Sequence, residues 1–91
     1  MLPSIEVRVR LFAGAAQAVA KTELVLLMDL DEPDSNSVTI KQIAEKLQRD
    51  FPQLSSWIAR SRWAVGDQFS TLTARVSANQ SVAMIPPVSG G

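Results

Sequence analysis

An α+β roll, a mixed sheet with one main helix packed on one face, is the fold class that this sequence predicts. Three observations carry the prediction. A strictly alternating segment near the start reads as a half-buried strand. One capped amphipathic helix lies in mid-chain. A short continuous apolar run near the end reads as a buried strand.

The elements follow in order. Ile5, Val7, Val9 and Leu11 alternate with Glu6, Arg8 and Arg10, so the apolar set points inward and the charged set to water. Residues 14–21 are Ala-rich and predict a short helix or helical turn. Residues 23–30 are apolar and close in sequence to the first strand, which predicts hairpin-like pairing. Residues 29–37 are acidic and rich in turn formers, hence a loop. Thr39 can cap a helix, with Gln42 completing a capping box. Ile40, Ile43, Ala44, Leu47 and Phe51 form one apolar stripe, while Lys41, Glu45, Lys46 and Arg49 face water. Pro52 stops that helix, and residues 54–60 allow one further irregular turn. Residues 63–71 read as a short hairpin around Gly66-Asp67, and residues 77–80 as another turn. Residues 82–85 form the last strand. The first and last strands are the most apolar, which places them side by side and parallel in the sheet centre. Trp57 and Trp63 read as core or core-edge.

The 91 residues make one domain, residues 1–85, followed by an extended arm, residues 86–91. Nine basic and nine acidic residues cancel, which argues against a nucleic-acid partner. No apolar run approaches a membrane span, so no membrane association is expected. The start lacks a basic stretch followed by an apolar one. The expectation is therefore no secretory signal and a cytoplasmic location. Cys, His and Tyr are absent. That excludes disulfides, thiolate and imidazole chemistry and histidine-built metal sites, and no metal is expected.

Residues 82–91 read Val-Ala-Met-Ile-Pro-Pro-Val-Ser-Gly-Gly. Pro86 and Pro87 lack an N–H and cannot join a helix or a central strand. Gly90 and Gly91 lack a Cβ, so the last two residues are as slender as a peptide can be. Such an arm, with Val88 and Ser89 between hinge and tip, can thread a narrow channel and present a carboxylate inside another protein.

Three segments carry a family resemblance: residues 7–13, Val-Arg-Val-Arg-Leu-Phe-Ala; residues 37–40, Ser-Val-Thr-Ile; and above all residues 82–91. With the order of elements, they resemble the ubiquitin-like β-grasp sulfur carriers, and most nearly the small subunits of molybdopterin synthases. The thiazole-forming carriers of that superfamily are shorter and usually lack the Pro-Pro pair. The resemblance implies a function in molybdenum cofactor biosynthesis. Gly91 would be adenylated by an ATP-dependent, E1-like activating enzyme and then converted by a sulfur donor to a thiocarboxylate. The arm would then deliver sulfur to a cyclic pyranopterin phosphate held in the large subunit. The chain itself would bind no cofactor and need no active site of its own; ATP is used by the partner. A carboxylate is anionic at neutral pH and a poor electrophile, so the activation step has a chemical reason.

The resemblance also places Phe12, Phe69 and Ile85 where family members present apolar side chains to the large subunit. Core packing is the competing reading for all three. Arg8, Arg10, Arg60, Arg62 and Arg75 form either a basic patch or a polar sheet face. Asp29, Asp31, Glu32 and Asp34 crowd one loop. Counting from Asp29 as a calcium loop puts Pro33 and Asp34 at the fifth and sixth places, where a ligand and a glycine are needed, so a solvated acidic loop is expected. Two other functions stay open: sulfur delivery to thiazole, tRNA or cysteine synthesis, and a ubiquitin-like protein modifier or binding module. Residues 86–88 favour the first reading over the second, and a covalent conjugate would mark the third.

Overall fold

The alternation at the start of the chain becomes strand β1 (Ser4–Leu11), with Val7, Val9 and Leu11 buried and Glu6, Arg8 and Arg10 exposed. The computed structural model describes residues 3–30 and 34–87. After β1 come α1 (Ala13–Val19), β2 (Glu23–Asp29), β3 (Ser37–Thr39) and α2 (Ile40–Asp50). A 3-10 turn (Pro52–Leu54) leads into α3 (Ser55–Arg60). Then follow β4 (Arg62–Val65), β5 (Gln68–Ser70), β6 (Arg75–Ser77) and β7 (Ser81–Ile85).

The main sheet has the order β2-β1-β7-β4-β5. The first and last strands do run side by side and parallel, with Val9 opposite Val82 and Leu11 opposite Met84. β2 pairs antiparallel with β1, and β4 antiparallel with both β7 and β5. Central β7 therefore carries the chain toward residues 86–91 out of the middle of the sheet.

One face of the sheet is covered. Val7, Val9, Leu11, Val82 and Met84 from the sheet join Ile40, Ile43 and Leu47 of α2 and Leu54 in one buried cluster. The stripe read from the sequence is the buried face of α2, with Ala44 and Phe51 at its rim. Trp63 lies in the core, and Trp57 packs against it half-buried.

The start of α2 is fully tied down. The Gln42 N–H donates to Thr39 Oγ1 at 3.2 Å, and the Thr39 N–H donates to Gln42 Oε1 at 2.8 Å. The next two N–H groups go to backbone: Ile40 to the Ala74 carbonyl at 3.0 Å and Lys41 to that of Leu72 at 2.9 Å. A helix start leaves such donors unpaired unless something outside the helix accepts them. Here residues 72–74 accept, and this holds the segment after β5 against α2.

Beside the expected main helix, the structure gives the two shorter helical stretches a definite form. Residues 52–60 form the 3-10 turn and α3 rather than one irregular turn, and α1 is a regular short helix. Gly14 explains why α1 sits close to α3: a Cβ there would overlap the Trp57 ring. A second, two-stranded sheet of β3 and β6 also forms. Arg75 secures it, with Nε donating to Ser37 Oγ at 2.7 Å and Nη2 to the Ser37 carbonyl at 3.0 Å. Of the acidic loop, residues 31–33 lie outside the described residues. Among the described residues no cluster of Asp and Glu is arranged to hold a metal. No helix among them is long and apolar enough to cross a membrane.

Candidate docking surface and tail

The other face of the main sheet is open, and the candidate site is built on it around β7. Side chains alternate along β7, so Val82 and Met84 enter the core while Ala83 and Ile85 stay half-buried on the outer face. Register then fixes their neighbours. Ala83 lies between Arg10 of β1 and Ala64 of β4, and Ile85 lies opposite Arg62. Ala64 faces Phe69 across the β4–β5 pair. Phe12 and Ile85 are each one step beyond the Leu11–Met84 pairing, so they are neighbours where the two central strands leave the sheet.

The result is a low floor between two walls. Ala64 and Ala83 are small and make the floor. On the β1 side the Arg10 guanidinium carbon stands 5.6 Å from the centroid of the Phe12 ring. On the β5 side the Arg62 guanidinium carbon stands 3.8 Å from the centroid of the Phe69 ring. Both arrangements lie within the range where a cation is attracted to a ring face. They hold each aromatic beside a planar cation rather than loose in water.

Exposure sets Phe12 and Phe69 apart from the core, while Ile85 lies between the two readings. Phe12 is 39% exposed and Phe69 56% exposed, and Ile85 is half-buried outside the core cluster. The sheet interior is already filled by alternate residues of the same strands. These three side chains therefore line the surface at the root of the tail. β7 ends at Ile85; Pro86 is half-buried and Pro87 exposed. Val88, Ser89, Gly90 and Gly91 lie outside the described residues.

The five arginines do not form one patch. Arg8, Arg10 and Arg62 share the outer sheet face, and Arg8 reaches Glu23 at 3.5 Å. Arg60 stacks on Trp57, with its guanidinium carbon 4.9 Å from the ring centroid, and Arg75 is spent on Ser37. Sequence reading missed the alanine floor and both arginine–aromatic pairs. The pairs join residues of different strands or across a strand end. The Arg62–Phe69 pair follows from the register of β4 against β5, and the Arg10–Phe12 pair from the end of β1 at Leu11.

Chemically, this arrangement can bind and present. It offers apolar rings for burial, two cations for a partner's carboxylates, and the end of β7 at Ile85 between them.

A family model described as the ThiS family matches residues 9–91. A molybdopterin synthase sulfur carrier subunit of Dictyostelium discoideum is 30% identical over 90 residues, spanning 97% of this chain and 99% of its own length. One of Arabidopsis thaliana is 33% identical over 88 residues, spanning 97% of this chain and 85% of its own. Among solved structures, SAMP1 from Haloferax volcanii has a TM-score of 0.77 at 21% identity, covering 94% of this chain and 99% of that one. A complex of subunits 1 and 2 of the molybdopterin-converting factor from Helicobacter pylori gives 0.63 at 18% identity, covering 96% of this chain and 100% of that one. At these identities the solved structures speak to the fold, a β-grasp shared along nearly the whole chain.

Proposed function

Because this chain belongs to the ThiS family, we propose that it is the sulfur-carrier subunit of a molybdopterin synthase, acting in molybdenum cofactor biosynthesis. The observation that carries the reading is the ground formed by exposed Phe12 and Phe69 and half-buried Ile85, next in sequence to Pro-Pro-Val-Ser-Gly-Gly. The relatives named as such carriers, matched along almost the whole chain, support it.

In this reading Gly91 is the reacting residue. Its carboxylate attacks the α-phosphorus of ATP on an E1-like enzyme, pyrophosphate leaves, and a glycyl adenylate forms. Hydrosulfide supplied by the donor attacks the activated carbonyl, AMP leaves with the C–O bond to phosphate broken, and the S–H proton is lost to solvent. The product is a thiocarboxylate. The body then docks on the large subunit through the outer sheet face, and the tail delivers sulfur to a cyclic pyranopterin phosphate held there. Residues 86–91, if extended, reach about 20 Å at roughly 3.3 Å per residue, enough to enter a deep pocket. Pro86 and Pro87 reduce the ordering cost of insertion because their backbone is already restricted. The complex of converting-factor subunits with a similar fold supports the choice of partner. ATP-dependent activation fits a cytoplasmic location.

The test is reconstitution. The thiocarboxylated chain, mixed with a molybdopterin synthase large subunit and the cyclic precursor, should yield the dithiolene product. The chain lacking Gly91 should yield none while keeping its melting temperature, because among the described residues the buried cluster ends at Met84. Sulfur transfer to a thiazole precursor or to tRNA instead, or a covalent conjugate with another protein, would replace this reading.

A further inference from the structure

The outer sheet face carries a second exposed apolar pair, on the edge strand away from Phe69. Val25 and Leu27 of β2 are 54% and 60% exposed. β2 is the edge strand beside β1, whereas Phe69 lies on the opposite edge, β5. Four strand spacings, roughly 19 Å, separate the two edges. Between them stand Glu6, Arg8 and Arg10 of β1, so Val25 and Leu27 are not part of the docking ground above.

The backbone of β2 is open as well. The Leu11 N–H donates to the Thr22 carbonyl, and the Leu30 N–H donates to the Pro3 carbonyl, both at 2.9 Å. Stepping by two between these bonded positions places Leu24, Leu26 and Met28 in the bonded pairs with Val9, Val7 and Ile5. Antiparallel alternation then turns the N–H and C=O groups of Glu23, Val25, Leu27 and Asp29 away from β1, toward the free edge. Among the described residues no strand pairs with that edge.

Folded proteins normally blunt such an edge with short strands, Lys, Pro or a bulge. β5 follows the rule, with three residues. β2 does not: it has seven residues, Glu-Leu-Val-Leu-Leu-Met-Asp, and an unbroken register from Asp29 to Glu23. Beside it runs a shallow cleft of about 210 Å³, walled by Leu27, Met28 and Asp29 on one side and by Glu45, Lys46 and Arg49 of α2 on the other.

The outward residues at alternate positions read Glu23, Val25, Leu27, Asp29: acidic, apolar, apolar, acidic. We propose that the free edge of β2 accepts, by antiparallel strand addition, an extended segment of a partner protein whose alternate residues are basic, apolar, apolar and basic. Main-chain hydrogen bonds supply the attachment, and cross-strand side-chain pairs supply the choice. A second copy of this chain fits worse. The two-fold register that sets Val25 against Leu27 also sets Glu23 directly against Asp29, a like-charge pair at both ends.

Proton–nitrogen spectra of the full chain test this. The probe is a blocked heptapeptide with lysine at both ends, valine third and fifth, and threonine elsewhere, raised to about 1 mM. Amide shifts should concentrate on residues 23–29 and on α2 across the cleft. Exchanging both acids, Glu23→Lys with Asp29→Lys, should weaken this peptide about tenfold or more and switch preference to a glutamate-ended version. Leu27→Lys is the second variant, on a side chain already in solvent, and should weaken the basic peptide similarly. No shifts at that concentration, shifts centred on Phe12 and Phe69, or the same preference after the charge exchange would overturn the proposal. So would sedimentation showing a dimer that Leu27→Lys dissolves.

Discussion

The guanidinium carbon of Arg62 lies 3.8 Å from the centroid of the Phe69 ring, across two strands that pair by only three residues on the β5 side. Phe69 is more than half exposed, yet it is held in place by a planar cation. A ring fixed before binding loses less freedom on binding, which is how a surface aromatic becomes an anchor.

Phe69→Ala is accordingly expected to weaken docking to a molybdopterin synthase large subunit by more than about 1 kcal/mol. Ile85→Ala should do the same. Arg62→Ala should have a smaller effect in the same direction, on the order of 0.5–1 kcal/mol, through the loosened ring. Calorimetric titration of each variant, after a check of its melting curve, measures this. Wild-type affinity for both Phe69→Ala and Ile85→Ala would remove the outer sheet face from the interface.

Gly14 and Trp57 make a second testable pair. A Cβ at position 14 has no room beside the Trp57 ring. Gly14→Ala should therefore destabilise by about 1–3 kcal/mol, the usual range for overpacking, despite the better helix propensity of alanine. Trp57→Phe removes the ring atoms that a Cβ would meet, so the two changes together should cost less than the sum of each alone. Strict additivity of the urea-derived free energies would show that the two sites do not touch.

Much of the fold was legible because several local signals agreed. Period-two alternation in β1, the Thr39–Gln42 capping box and the stripe through Leu47 each came from one short window of sequence. Apolar character places β1 and β7 side by side, and they do pair in parallel, but β2 is more apolar than β1, so that reason alone does not single them out. β3 and β6 were not legible. Each is three residues long, and they are joined by backbone pairing and by Arg75 on Ser37, thirty-eight residues apart. The exposure of Val25 and Leu27 was hidden for another reason: β2 is apolar at both parities from Leu24 to Met28, so no alternation marks its outer face. At the docking surface, Phe12, Phe69 and Ile85 came from a resemblance, and their exposure needed the sheet register. The alanine floor gave no sequence signal at all, since alanine suits either face.

Leu47 sits on the buried stripe of α2 with no exposure. Leu47→Ala should destabilise by about 2–5 kcal/mol through lost burial and the cavity left behind. A urea midpoint close to wild type would mean that this face of α2 does not carry the core.

Thr39→Ala removes the acceptor for the Gln42 N–H and should cost about 0.5–2 kcal/mol. The helix should persist, because Ile40 and Lys41 still donate to the Ala74 and Leu72 carbonyls. Hydrogen exchange should quicken at Gln42 far more than at Ile40. Equal loss of protection at both amides would contradict the division of labour at this helix start.

The central claim is that Gly91 carries sulfur. Intact mass spectrometry after incubation with an E1-like activating enzyme, ATP and sulfide tests it most directly. Exchange of one oxygen for sulfur on the terminal carboxyl should add about 16 Da, with fragmentation placing the gain on Gly91. An unchanged mass with an enzyme that charges a known carrier under the same conditions, or a gain on any other residue, would contradict the account.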